Sequence, residues 1–206
     1  GSPVASITQA YGTDIKAPSN PVREGYTFAG WEPAVPSTMP ARDFAVTAKW
    51  RADTYTISFD SNGGSPVASI TQAYGTAVEP PADPTRAGYT FSGWQPSIPS
   101  TMPAGSFRVT ALWAVNTYTI AFDSAGGSAV PSIAQAYGTA VKAPADPVRK
   151  GYSFAGWEPA LPSTMPAGNM AVTARWAAVY YTITFDSAGG SPVASITQAY
   201  GTDIKA

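Results

Sequence analysis

Along Phe107–Trp113 the side chains alternate: Phe107, Val109, Ala111 and Trp113 fall on one face, Arg108, Thr110 and Leu112 on the other. A period of two predicts a strand with one face turned to a core. The same places hold Phe44, Val46, Ala48 and Trp50 earlier in the chain and Met170, Val172, Ala174 and Trp176 later. Phenylalanine to methionine is an apolar exchange of similar size, which a packed core tolerates. A second strand follows the same rule, with Tyr118, Ile120 and Phe122 alternating with Thr117, Thr119 and Ala121. It recurs as YTISFD at Tyr55–Asp60 and YTITFD at Tyr181–Asp186, and each copy runs into a turn signal, DSNGG or DSAGG. There aspartate initiates the turn and glycine supplies the positive φ that a hairpin needs.

Ala68–Val78 predicts the partner strand, broken at Gly75, and GYTFSGW at Gly88–Trp94 predicts a third. Between them Pro80, Pro81 and Pro84 exclude a regular central strand or a helix interior. A helical turn starting after Asp83 or Asp146 stays compatible, because aspartate followed by proline suits a helix N-terminus. A further proline-punctuated loop, Pro96–Gly105, leads into the last strand.

GYTFSGW also occurs as GYTFAGW at Gly25–Trp31 and as GYSFAGW at Gly151–Trp157, at the same spacing in each direction. The chain is therefore a tandem array of one small unit. Opening each unit at its YTIxFD strand gives complete units at Tyr55–Trp113 and Tyr118–Trp176. Gly1–Trp50 is a unit lacking its first strand, and Tyr181–Ala206 is a first hairpin without its body. A domain of about 60 residues buries only about 60% of the surface of its unfolded chain, so docking between neighbours matters. Only the short, glycine-free segments Arg51–Thr54, Ala114–Thr117 and Ala177–Tyr180 separate last strand from first strand, which predicts an elongated, semi-rigid rod.

Gly190–Ala206 is identical to Gly1–Ala17 throughout, including the DIKA ending that the second and third copies replace with AVEP and AVKA. That implies a parent with a higher-order period of three units, from which this chain is a window. Incomplete units leave strand edges that template pairing with another chain. The strand Tyr181–Asp186, with Tyr181, Ile183 and Phe185 on its apolar face, is expected to lie beside the sheet of a Gly1–Trp50 unit in the next segment.

Charged residues are only 12% of the 206, against 44% hydrophobic and 12% aromatic, about half the charge of an ordinary globular chain. Twelve basic against 13 acidic residues give a formal charge of −1, which leaves no footprint for nucleic acid or an anionic membrane. No apolar run approaches the roughly 20 residues of a membrane-spanning helix, so no membrane insertion is expected. Cysteine and histidine are both absent, removing thiolate sites, the commonest general base and the commonest metal ligand.

Candidate chemistry is correspondingly thin. Asp60, Asp123 and Asp186 recur without a second carboxylate, so no acid–base pair is evident and no enzyme is expected. Asp60-Ser61-Asn62-Gly63 offers closely spaced oxygens to calcium, but Asn62 becomes Ala125 and Ala188, which favours a plain turn and no cofactor or metal. Arg23, Arg86 and Arg149 form either a cation ladder for an acidic glycan or exposed arginines whose stems cover an aromatic ring. Trp31, Trp94 and Trp157 fall opposite Phe28, Phe91 and Phe154 in strict alternation, unless the preceding glycine makes a bulge. Exposed, they would stack on sugars; covered, they form a small cluster with the prolines that follow. Tyr11, Tyr74 and Tyr137, each in AYGT, carry the same ambiguity.

The combination of YTITFDSxGG, AYGT, PADPTRAGYTFSGW and a closing VTAxW resembles the Listeria–Bacteroides repeat, also called the InlB B-repeat family, over the whole chain. The resemblance implies small α+β, β-grasp-like units in a mainly β chain. It also implies the setting of bacterial surface proteins, in which such repeats form stalks and adhesive modules that are secreted or displayed at the cell surface. It carries over no catalytic residue. The expected function is an extracellular structural repeat, a stalk or filament segment whose partner is itself, end to end. The alternative is a multivalent adhesin module binding surface glycans or host proteins.

Overall fold

The computed structural model describes residues 1–204. The last two residues of the predicted terminal hairpin, Lys205 and Ala206, lie outside the described residues. Every regular element among the described residues is a strand, so the mainly β class holds. The α part of the expected α+β unit is absent among them: neither Asp83 nor Asp146 caps a helical turn, and the chain stays irregular up to the turns at Gly88 and Gly151. Prolines supply the physical reason. Pro80, Pro81 and Pro84 each lack an N–H, and each disfavours the helical region for the residue before it.

The chain divides into two compact units, one of Gly1–Arg86 with Phe91–Trp113, the other of Ala87–Thr90 with the chain from Ala114 onward. In the first, β1 (Tyr26–Glu32) and β2 (Thr47–Ala52) form a two-stranded antiparallel sheet. Next to them in sequence come β3 (Thr54–Asp60), β4 (Ile70–Ala73), β5 (Tyr89–Gln95) and β6 (Phe107–Val115), a four-stranded sheet in the order β4-β3-β6-β5. Strands β3 and β4 are antiparallel neighbours, while β3 and β6 run parallel with Ile57 opposite Phe107 and Phe59 opposite Val109.

The second unit repeats the plan. Its β7 (Thr117–Asp123), β8 (Ile133–Ala136), β9 (Tyr152–Glu158) and β10 (Met170–Ala178) form a sheet in the order β8-β7-β10-β9. Ile120 faces Met170 and Phe122 faces Val172 across the parallel pair. The chain then forms β11 (Tyr180–Ile183) and β12 (Ile196–Ala199), a two-stranded antiparallel sheet.

Burial follows the alternation. Ile57, Val109 and Met102 are fully enclosed in one complete sheet, and Ile120, Val172 and Met165 in the other. On β6 the residues Arg108 and Leu112 are exposed while Val109 and Ala111 are buried. Methionine is the unexpected member, because it comes from the proline-punctuated loop rather than from a strand. The Met102 N–H donates to the Thr76 carbonyl (2.9 Å) and its carbonyl accepts from the Gly75 N–H (2.9 Å), which straps the loop across the AYGT turn and aims the side chain inward. Met165 makes the same bonds with Thr139 and Gly138.

Three sequence expectations change in detail. The predicted strand Ala68–Val78 is regular only over Ile70–Ala73. The positive φ of the DSxGG turn is shared: Gly63 and Gly126 have it, and so do Asn62, Ala125 and Ala188 (φ 46–47°) one residue earlier. Finally the link between the complete repeats is the single residue Asn116 rather than the whole of Ala114–Thr117, because β6 continues to Val115 and β7 begins at Thr117.

Candidate functional site

The aspartates of the hairpin turns are turn residues. Oδ1 of Asp60, Asp123 and Asp186 each accepts the N–H two residues on, at 2.9–3.0 Å. Ser61 and Ser124 close the same turns on the carbonyls of Gly64 and Gly127 (3.0 Å each). The closing tryptophans cap them: Nε1 of Trp113 donates to the Ser61 carbonyl (3.0 Å) and that of Trp176 to Ser124 (2.9 Å). Among the described residues no group of three carboxylates stands together for a metal.

Trp31, Trp94 and Trp157 share the face of the preceding phenylalanine, and the bulge is the cause. Pairing skips one residue between Phe28 and Gly30 and again between Phe154 and Gly156, where φ is 117° and 111°. The rings meet edge to face, with centroids 5.3 Å apart for Phe28–Trp31 and for Phe91–Trp94, and 5.1 Å for Phe154–Trp157. In the complete sheets a second phenylalanine closes on the indole, Phe59 at 5.0 Å and Phe122 at 4.9 Å. These indoles are half-buried and packed against the core.

The arginines lie over rings. The Arg23 guanidinium is 3.8 Å from the centroid of Tyr26 and that of Arg149 is 4.2 Å from Tyr152. Arg86 stands 6.0 Å over Trp113 and donates to the Asn62 carbonyl (3.0 Å). Tyr181 and Ile183, by contrast, stay exposed on β11, with Phe185 exposed just beyond it.

One constellation recurs three times that the sequence pattern did not single out: the joint between consecutive repeats. Gly25, Gly88 and Gly151 adopt φ of 75–80° at the turn before the GYTF or GYSF strand. Their carbonyls accept the N–H of Asp53, Asn116 and Val179, the single linking residues of the next repeat, at 2.9 Å in every case. The carbonyl of each linking residue then accepts the N–H of Tyr74, Tyr137 or Tyr200 at 2.8–2.9 Å. Those tyrosine rings lie over the glycines, so close that a Cβ on Gly25, Gly88 or Gly151 would stand 2.0–2.3 Å from a ring carbon. Each ring also meets the tyrosine beside the glycine edge-on, with centroids 5.5, 5.7 and 6.0 Å apart for Tyr26–Tyr74, Tyr89–Tyr137 and Tyr152–Tyr200. Two joints add a side-chain bond, from Thr27 Oγ1 to Asp53 and from Thr90 Oγ1 to Asn116 Oδ1 (2.6 Å). The signal in the sequence was present in two places, a recurring Gly-Tyr in one repeat and AYGT in the next, but nothing in a single repeat brings them together.

Tyr11, which occupies the AYGT place in the first repeat, has no such glycine beneath it and is 76% exposed, whereas Tyr200 in the identical sequence is 38% exposed. For Tyr74, Tyr137 and Tyr200 the ambiguity of the AYGT tyrosines therefore resolves: the ring covers the glycine of the preceding repeat.

The family model that matches the chain is the Listeria-Bacteroides repeat domain, over residues 1–49, 55–101 and 118–174. Two Evansella cellulosilytica proteins, one described as a Gly-rich membrane protein and one as a membrane protein, are each 30% identical over 99% and 98% of this chain. Internalin H of Listeria monocytogenes is 33% identical over 54% of it. The chain spans 26%, 34% and 23% of the length of these relatives. The motif order, the repeat spacing and these matches agree, and the chain belongs to the Listeria-Bacteroides repeat domain family.

Proposed function

We propose that this chain is a structural segment of a bacterial surface or extracellular protein, a stalk or filament piece that holds its repeats in series and associates end to end. The work is mechanical and involves no catalysis or cofactor. The observation that carries this role is the joint: one glycine, one linking residue and one tyrosine are arranged alike three times, with the same two hydrogen bonds. A spacer needs a fixed pitch, and a one-residue link pinned on both its N–H and its carbonyl supplies one. The surface location is supported by the family and by the membrane-protein descriptions of two relatives. Binding of glycans or host proteins through Trp31, Trp94 and Trp157 would need those indoles on the surface, and each is half-buried against phenylalanine.

The test is a distance distribution across one joint. The chain has no cysteine, so Ser19→Cys and Asp83→Cys place two spin labels on exposed sites either side of the Gly25–Tyr74 joint. Pulsed electron resonance is expected to give one narrow distance. A broad distribution, as from a flexible linker, would remove the spacer role.

A further inference from the structure

We infer that the joint is a site of oxidative cross-linking, at which Tyr26 couples with Tyr74 and Tyr89 with Tyr137 to form dityrosine and tie consecutive repeats covalently. The oxidant is hydrogen peroxide, used by a haem peroxidase.

The tyrosines of the chain collect at its joints. Of the 11, only Tyr11 and Tyr180 lie outside three sets of three: Tyr26, Tyr55 and Tyr74; Tyr89, Tyr118 and Tyr137; Tyr152, Tyr181 and Tyr200. Each set holds the residue after the joint glycine, the second residue of the next strand and the AYGT tyrosine. In the first set Tyr74 meets Tyr26 at 5.5 Å and Tyr55 at 6.5 Å between centroids, so the nearer ring belongs to the preceding repeat. In the second, Tyr137 meets Tyr89 at 5.7 Å, and Asn116 Nδ2 donates to the Tyr118 hydroxyl (3.3 Å). Both pairs lie inside the chain, with the repeats on either side of them present.

The ring contacts also segregate by chemistry. Tyrosine meets tyrosine at the joints, whereas Trp31, Trp94 and Trp157 meet phenylalanine in the sheets. Phenylalanine has no phenolic hydrogen to lose, so the joint pairs are the ones in which both partners can be oxidised. All four rings are half-buried, open enough to lose an electron and held in place before they do. Tyr74 and Tyr137 are the more tightly held, because each lies against the glycine of the preceding repeat. Their edge-to-face contact sets the ring carbons beside the hydroxyl of one tyrosine within a ring rotation of the other.

Each phenol gives one electron and one proton to the oxidant and becomes a phenoxyl radical. The two radicals join through a new carbon–carbon bond between the carbons beside the hydroxyls. The hydrogens on those carbons then pass to the oxygens, restoring both phenols. In sum two tyrosines and one hydrogen peroxide give one dityrosine and two waters. The chain has no cysteine, so a tie of this kind can do for its small repeats what a disulfide does in other exported proteins.

The test uses the purified intact chain, kept dilute so that coupling within one chain outruns coupling between chains. After treatment with a haem peroxidase and hydrogen peroxide, mass spectrometry of the digest is expected to find peptides joined through Tyr26–Tyr74 and through Tyr89–Tyr137, two hydrogens lighter than their sum. The protein should still run as a single chain on a denaturing gel and show dityrosine fluorescence. Tyr137→Phe keeps a ring over Gly88 but has no phenol. It is expected to fold as the wild type by circular dichroism, to lose the Tyr89–Tyr137 product completely and to keep Tyr26–Tyr74. No dityrosine at all, products that join only Tyr11 or Tyr180 of different chains, or a dityrosine yield unchanged in Tyr137→Phe would overturn the site. The spacer role is read separately, since it falls with a broad distance distribution across the joint whether or not the rings couple.

Discussion

Replacing Gly88 by alanine is expected to destabilise the chain by about 3 kcal/mol, and the loss should exceed that of Gly75→Ala by about 1–2 kcal/mol. Both glycines have positive φ, 80° and 75°, so both substitutions carry the cost of a left-handed L-residue, about 1–2 kcal/mol. They differ in what the new methyl meets. At Gly75 nothing lies within 4 Å, whereas at Gly88 the methyl would stand 2.2 Å from the ring of Tyr137. The ring must leave, surrendering its edge-on contact with Tyr89, a pair of a kind that contributes about 0.5–1.5 kcal/mol, together with the area it covers. Urea unfolding of the two variants measures the difference directly. Equal losses would mean that the ring over the glycine contributes nothing.

The next largest effect is positional. Ile120→Ala is expected to cost about 2–5 kcal/mol, because it opens a cavity in a core cluster of only three fully buried side chains, Ile120, Met165 and Val172. Ile183→Ala removes the same atoms at the same place in its repeat, yet is expected to cost less than about 0.5 kcal/mol in the dilute single chain, as surface changes do. The local sequences are nearly alike, YTIAFD and YTITFD, so the contrast isolates what the neighbouring parallel strand does for the isoleucine. Amide exchange in β7 for one variant and in β11 for the other reads the two losses separately. Comparable losses would show that the hairpin of β11 and β12 holds a core of its own.

How far the sequence predicted the fold depends on whether the information was local. The last strand was fully legible, since Phe107, Val109, Ala111 and Trp113 differ from their neighbours at every second position and the sheet buries that side. The hairpin turns were legible as well, because aspartate and glycine bend a chain by their own geometry. The face of Trp94 was not, because one glycine with φ of 125° slips the alternation by a residue and periodicity cannot say whether it does. Met102 was hidden by its setting between prolines, where a loop is expected to face water. The joint was least visible of all. Its glycine and its tyrosine, Gly88 and Tyr137 for instance, are far apart in sequence and belong to different repeats, so each looks like an ordinary turn residue until the chain is folded. The helix, absent among the described residues, is the opposite case: resemblance implied it, and the prolines of Pro80–Pro84 argued against it locally.

The spacer role stands or falls at the joint. Asp53, Asn116 and Val179 are single residues between two strands, and an unpinned linker of that kind exchanges its amide hydrogen at nearly the rate of free peptide. Hydrogen exchange of these three amides in the intact chain is therefore the most direct measurement. Because each donates to a glycine carbonyl of the preceding repeat, all three are predicted to be protected to the level of their flanking strands. Exchange at the free-peptide rate, with β6 and β10 still protected, would contradict the claim that the linking residues are pinned at both N–H and carbonyl.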